Sequence, residues 1–324
     1  MPLPEPEHLA ASVIAADKAA IAAALNLVED RRPGMRVLAA SLLARLSAAE
    51  RARAGHRIGL TGPPGVGKST LAGAVARELR VCGRTVGILA VDPSSPRSGG
   101  ALLGDRVRMD FDPADGGLFV RSVATAGRRG GLSHGSHAAV LVLAAAYEIV
   151  IVETTGVGQS ETDVEDVVDT VVLVVQPGSG DAIQFLKAGI MEIPDLLVVN
   201  KVDREASAGR AFADLEAALA TVGAVGAGRA VPVVCASATE GTGVADLTDR
   251  LEGRRAAMSQ ESVDERRLNG AVRWTLGLFA TRFGEHGAEV LGGEARLRER
   301  VTTELRAGAT PLVLAEQLGA EAAR

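Results

Sequence analysis

Two short segments of this chain carry residue types that do chemistry in combination. Residues 62–70 read GPPGVGKST, in which Gly62, Gly67, Lys68 and Ser69 fit the spacing G-x-x-x-x-G-K-[ST]. Backbone N–H groups that wrap a polyphosphate need glycine wherever a side chain would block close approach. The lysine ammonium then bridges the terminal phosphates, and the serine hydroxyl ligates magnesium. The expected contact set is Gly62, Pro64, Gly65, Val66, Gly67, Lys68, Ser69 and Thr70. Pro63 and Pro64 have no N–H to donate, so the donors must come from residues 65 to 70.

The second segment, VVNKVD at 198–203, supplies Asn200, Lys201 and Asp203. A carboxylate accepts from guanine N1–H and the exocyclic amine together, a pair that adenine does not offer. Each such charge-assisted hydrogen bond is worth roughly 1.5–3 kcal/mol. A site built to pair with a polar edge rejects an analogue that lacks it. N-K-x-D alone is a short pattern, and its meaning comes from following a buried strand of a chain that also holds a phosphate loop. Ser237, Ala238 and Thr239 follow a further apolar run, and their small size would let backbone N–H groups approach guanine O6. The expected ligands are GTP or GDP with Mg2+.

Three acids stand where magnesium and the third phosphate belong. Asp92 ends one apolar run, Asp105 lies in the glycine-rich segment 98–105, and Glu153 ends another run in ETTGVGQ. A hard divalent cation takes oxygen ligands, and magnesium shared with phosphates keeps several waters. Ser69 with one or two of Asp92, Asp105 and Glu153 satisfies that demand. Lys68, Asp92, Asp105 and Glu153 are therefore the expected catalytic neighbourhood. Small regulatory GTPases of the Ras kind place a water-orienting glutamine directly after the glycine of this segment. Here Val157 follows Gly156, and Gln159 comes two positions later. Slow intrinsic hydrolysis, open to acceleration by a partner, is the expectation. Arg108, Arg128 and Arg129 are candidates for charge stabilisation, with exposed surface arginines as the plainer reading of all three.

Positioning these loops requires strands that end at one edge of a sheet. Apolar runs at 57–61, 85–91, 118–121, 148–153, 170–175, 195–199 and 231–235 alternate with helical patterns, and several are continuous, as parallel strands covered on both faces require. Residues 69–80 carry Leu71, Val75 and Leu79 at helical spacing directly after the glycine loop, which puts a helix N-terminus at the phosphates. The fold class is α/β: a P-loop NTPase with a mostly parallel, doubly wound sheet and helical extensions on both sides. The expected domains are an N-terminal helical extension (1–55), a nucleotide domain (56–253) and a C-terminal helical arm (254–324). In that arm Val272, Leu276, Phe279 and Phe283 recur at helical spacing.

Composition bounds the remaining classes. The chain has 324 residues, 47% hydrophobic but only 2% aromatic, so Ala, Val and Leu must build the core. Its net charge is −5 with no long basic run, which argues against a nucleic-acid partner. The opening residues lack the basic and apolar regions of a signal peptide. The longest apolar stretch, Ala138 to Tyr147, is too short to cross a bilayer. Cys82 and Cys235 fit neither a disulfide framework nor a CxxC site, and a reducing cytoplasm is the expected compartment.

Longer segments add a resemblance. VDPSSPRSGGALLGDRVRM (91–109), ETTGVGQSE (153–161), QPGSGDAIQFLKAGIMEIPDLLVVNKVD (176–203) and SATEGTG (237–243) resemble the MeaB/ArgK family. These are methylmalonyl-CoA mutase-associated G proteins in the metallochaperone-like branch of P-loop GTPases. The resemblance covers about residues 20 to 250. It implies a homodimer joined through the C-terminal arm. It also implies GTP hydrolysis coupled to protecting, loading or repairing an adenosylcobalamin-dependent acyl-CoA mutase. Carried onto this chain, Lys68 and Ser69 hold phosphate and magnesium, with Asp92, Asp105 and Glu153 around the metal. Gly178 to Gly189 resembles a loop that signals to the mutase, with Asp181 and Lys187 as its polar candidates. Thr155 departs from the valine that members often carry.

Three rival readings fit the residues less well. A nickel-insertion GTPase of the same branch calls for Cys or His clusters, whereas this chain has two distant cysteines and five scattered histidines, His134 and His137 being three apart. An ATP-dependent kinase linked to amino-acid transport conflicts with Asp203. A nucleotide-dependent scaffold leaves the phosphate and metal apparatus without a use.

Overall fold

The computed structural model describes residues 5–30, 32–53, 55–92, 111–112, 114–124, 132–156, 163–177, 193–204 and 231–323. Seven strands form one sheet: β1 (His56–Thr61), β2 (Val86–Asp92), β3 (Leu118–Ala124), β4 (Ile149–Glu153), β5 (Thr170–Val175), β6 (Leu196–Asn200) and β7 (Val233–Ala236). Their order is β3-β2-β4-β1-β5-β6-β7, and every neighbouring pair is parallel. The seven apolar runs of the sequence thus become seven strands, with ends shifted by a few residues at most. Strand β5, TVVLVV, is buried at all six positions, because residues alternate between two covered faces. On one face Ile58, Leu60, Ile88, Ile151, Val172 and Val198 join a single core with two helices, α4 (Lys68–Val81) and α6 (Val244–Ala257). On the other face Leu173, Val175, Leu197 and Val199 form a second cluster.

Helix α4 follows from its sequence. Leu71, Val75 and Leu79 recur every fourth residue and are buried. Arg80 in the last turn complements the helix dipole and pairs with Asp115 at 2.8 Å. Gly83, at φ +79°, then reverses the chain, with Arg84 N–H donating to Leu79 O.

The chain divides into two compact units. The sheet, α4 and α6 belong to one, spanning His56–Ser133 and Glu148–Met258. The other comprises Met1–Gly55, His134–Tyr147 and Ser259–Arg324. It is helical: α1 (Pro6–Ile14), α2 (Lys18–Glu29), α3 (Pro33–Arg53), α5 (His134–Ala146), α7 (Gln260–Val290), α8 (Glu294–Arg306) and α9 (Pro311–Ala322). Helix α5, the longest apolar stretch of the sequence, is buried and packs with α2 and α3. No helix among the described residues is long and apolar enough to cross a membrane. Val272, Phe279, Leu297, Val301, Leu314 and Leu318 form the core of α7, α8 and α9, with Leu276 and Phe283 packed against it. His137 stacks on Trp274 with ring centroids 5.2 Å apart, and His134 is 3.3 Å from the Thr281 hydroxyl. Arg267 of α7 pairs with Glu50 of α3, both mostly buried.

Candidate functional site

The loop 62–67 joins β1 to α4 and turns at three glycines of positive φ: Gly62 (+137°), Gly65 (+80°) and Gly67 (+92°). At Gly62 a side chain would collide with Val174 O at 2.1 Å, and at Gly67 with Asn200 Nδ2 at 2.6 Å. Glycine is required there by both conformation and space. Gly67 also caps α4, so the first N–H groups of that helix, including those of Lys68, Ser69 and Thr70, face the loop. Lys68 is only 6% exposed, and its Nζ donates to Gly62 O at 2.8 Å and Pro63 O at 2.9 Å. The loop carbonyls thereby fix the ammonium at the mouth of the cradle.

Glu153 leaves the end of β4, where its backbone is in register with Leu60 of β1 and Ala90 of β2. Its carboxylate is 4% exposed and accepts the Ser69 hydroxyl at 2.5 Å. Two oxygen donors predicted for magnesium are thus in direct contact, and this hard-oxygen pair beside the lysine fits that ion. Thr154 turns away, its N–H donating to Leu60 O at 3.0 Å and its hydroxyl lying 3.2 Å from that of Thr61. Gly156, at φ +74°, sits against the loop: a methyl there would stand 2.0 Å from Gly62 O and 2.6 Å from Lys68 Nζ. Asp92 ends β2, two residues beyond the register partner of Glu153, so its backbone lies at the same sheet edge. Asp105, Gln159, Arg108, Arg128, Arg129, Asp181 and Lys187 lie outside the described residues.

The segments 198–203 and 237–239, expected to read the base, converge on the same loop. Asn200, at the end of β6, is 1% exposed. Its Nδ2 donates to Val66 O at 2.9 Å and its Oδ1 accepts from Ala238 N–H at 3.2 Å. One amide therefore ties the phosphate loop to the 237–239 loop. Lys201 adopts φ +64°, and its Nζ donates to Gly65 O and, at 3.0 Å, to Gln176 Oε1. Asp203 is exposed on a short 3-10 turn, Val202–Arg204. Ser237 is fully buried; its N–H donates to Thr242 O at 2.9 Å, and its hydroxyl accepts from Glu240 N–H at 3.2 Å and lies 3.4 Å from that of Thr239. Those bonds close a tight turn after β7.

Gln176 is a residue of this site that motif reading did not single out, and Gly156 was noted there only as the glycine before Val157. Gln176 directly follows buried β5, a position at the ligand edge of a parallel sheet. Gly156 stands three residues after Glu153, and its contact with the loop is what the spacing did not reveal.

A parallel sheet with a glycine loop, a buried lysine, a Ser–Glu pair and an exposed aspartate following β6 at one edge is the architecture of the P-loop GTPase class. Comparison with known proteins narrows this. A family model described as "Methylmalonyl Co-A mutase-associated GTPase MeaB" matches residues 21–289, and the chain belongs to that family. A relative from Mycobacterium tuberculosis named "Probable GTPase" is 40% identical over 273 residues, covering 83% of this chain and 81% of its own length. A Caenorhabditis elegans protein named "Methylmalonic aciduria type A homolog, mitochondrial" is 40% identical over 215 residues, covering 63% of this chain and 54% of its own. Among solved structures, that of a LAO/AO transport system kinase is similar with a TM-score of 0.65 and 26% identity, covering 95% of this chain and 99% of its own.

Proposed function

We propose that this chain binds GTP, hydrolyses it slowly to GDP and phosphate, and uses that cycle to gate a client. The client is methylmalonyl-CoA mutase or a related acyl-CoA mutase, whose adenosylcobalamin is loaded, protected or repaired. The nucleotide part rests above all on the Asn200 amide, which joins the phosphate loop to the 237–239 loop in one hydrogen-bonded assembly. The client part is supported by the family match and by the name of the nematode relative.

In this reading Lys68 neutralises the terminal phosphates, and the N–H groups of residues 65 to 70 wrap them. Ser69 and Glu153 hold Mg2+, with Asp92 and Asp105 completing its surroundings. When bound, the ion neutralises charge that develops on the phosphate oxygens. Asp203 accepts from guanine N1–H and the exocyclic amine, and the backbone of Ser237, Ala238 and Thr239 approaches O6. Val157 in place of a glutamine keeps the intrinsic rate low, so acceleration falls to the client. The protein works as a homodimer through its C-terminal helices, in the cytoplasm.

The test is GTP turnover with and without purified methylmalonyl-CoA mutase, with ATP as control. Slow GTP turnover that rises with the mutase supports both parts. Unchanged turnover removes this client, and ATP turnover equal to that of GTP removes the guanine assignment.

A further inference from the structure

One side chain beside the cradle has no task in this scheme. Thr155 lies between Glu153, whose carboxylate takes the Ser69 hydroxyl, and Gly156, which packs against Gly62 O and Lys68 Nζ. Its Oγ1 is buried and makes no hydrogen bond among the described residues. Thr154 turns toward the end of β1, where Leu60 O and the Thr61 hydroxyl meet it. Thr155 stands past the end of β4, one residue before Gly156, which packs against Gly62 O and Lys68 Nζ. A buried hydroxyl without a partner is destabilising, and a valine of the same shape carries no such penalty. A hydroxyl in that position has a use when a ligand completes it.

The neighbouring sequence supplies that use. After Gly156, where Ras-kind GTPases place a water-orienting glutamine, this chain has the apolar Val157. Before Gly156 it has the unpaired hydroxyl. We infer that Thr155 is a catalytic residue of GTP hydrolysis, its hydroxyl holding the attacking water against the γ-phosphate. This rests on the GTPase reading above. Thr155 Oγ1 accepts one O–H of the water and turns the water's lone pair toward phosphorus. The water oxygen bonds to the γ-phosphorus, and the bond to the β–γ bridging oxygen breaks. GDP leaves, and the water proton passes to a phosphoryl oxygen. Thr155 begins and ends protonated.

The test compares the full-length wild type with Thr155→Val and Thr155→Ser in Mg2+. Affinity is read with a fluorescent GDP analogue, kcat and KM by phosphate release, and folding by thermal melting. Thr155→Val is expected to keep nucleotide affinity within about twofold, to melt no lower than wild type, and to lose roughly tenfold to a hundredfold in kcat. Thr155→Ser, which keeps the hydroxyl, restores most of the rate. A Thr155→Val enzyme with wild-type kcat overturns the inference alone. So does a rate loss that travels with lower affinity and a lower melting point and that serine does not rescue. A wild type that releases no phosphate from GTP overturns the GTPase reading, and the inference falls with it.

Discussion

The two ends of the nucleotide site are built differently. At the phosphate end Lys68, Glu153 and Gly156 are buried and the groups are cross-tied: Lys68 to two loop carbonyls, half-buried Ser69 to Glu153, and Gly156 flush against the loop. At the base end Asp203, the residue proposed to read the base, stands exposed on a short turn, while Asn200, Ser237 and Ala238 are buried. Charge stabilisation needs groups fixed in advance in a shielded place. Base selection needs a carboxylate at the right edge, and it is desolvated only when guanine arrives. In the proposed function the phosphate end sets rate and the base end sets identity, with Asn200 as the member that touches both loops.

Breaking the phosphate end should have the largest effect. Gly156→Ala places a methyl 2.0 Å from Gly62 O at a positive φ, so the segment must move away from Lys68. GTP turnover is expected to fall by more than about a hundredfold, since a displacement of about 1 Å at a reacting centre costs that much. Phosphate release under single turnover checks this, and affinity for GDP should change far less.

The shared member comes next. Asn200→Ala leaves Val66 O and Ala238 N–H without their bonds in a buried place. Each unsatisfied group costs roughly 1–3 kcal/mol. Denaturant unfolding should shift by about 2 kcal/mol, and GDP affinity should fall at least about tenfold. If the two ends were independent, affinity would fall without the loss of stability.

These two cases also show how much the sequence disclosed. Gly62, Lys68, Ser69, Asn200 and Asp203 were legible because each belongs to a short motif whose chemistry is local. The Ser69–Glu153 contact was legible only in part: both were expected near one metal, and which of Asp92, Asp105 and Glu153 meets Ser69 was not. What joins the motifs was not legible. Asn200 meets Val66 across 134 residues and Ala238 across 38, and Lys201 reaches Gly65 and Gln176. Such partners depend on strand order, with β1, β5, β6 and β7 side by side, and no local pattern encodes that order. The strands were legible from continuous apolar runs. The packing of α5 with α2 and α3 was not, because an apolar helix looks the same whatever covers it.

The smallest effect sharpens the comparison from outside the site. Glu148, just before β4, accepts from Thr85 N–H and the Thr85 hydroxyl and lies beside Arg84, which hold its carboxyl below the usual glutamate range. A carboxyl whose folded pKa is lowered adds stability that is full above its unfolded pKa and is lost as pH falls through the folded pKa. Glu148→Gln should therefore unfold slightly more easily than wild type at neutral pH, with the difference vanishing in acid. Partial exposure keeps this effect small. Nucleotide affinity should not change, because the residue lies at the opposite edge of the sheet from the loops.

The most direct measurement of the central claim is the affinity of wild type and Asp203→Asn for GDP, ADP and xanthosine diphosphate, by titration calorimetry in Mg2+. Xanthine carries a carbonyl where guanine carries the amine, so an asparagine amide can donate where the aspartate accepted. Wild type should favour GDP over ADP strongly. Asp203→Asn should lose GDP affinity by roughly a hundredfold, two charge-assisted bonds being at stake, while gaining xanthosine diphosphate. An Asp203→Asn protein that binds GDP as wild type does would contradict the assignment of the base site.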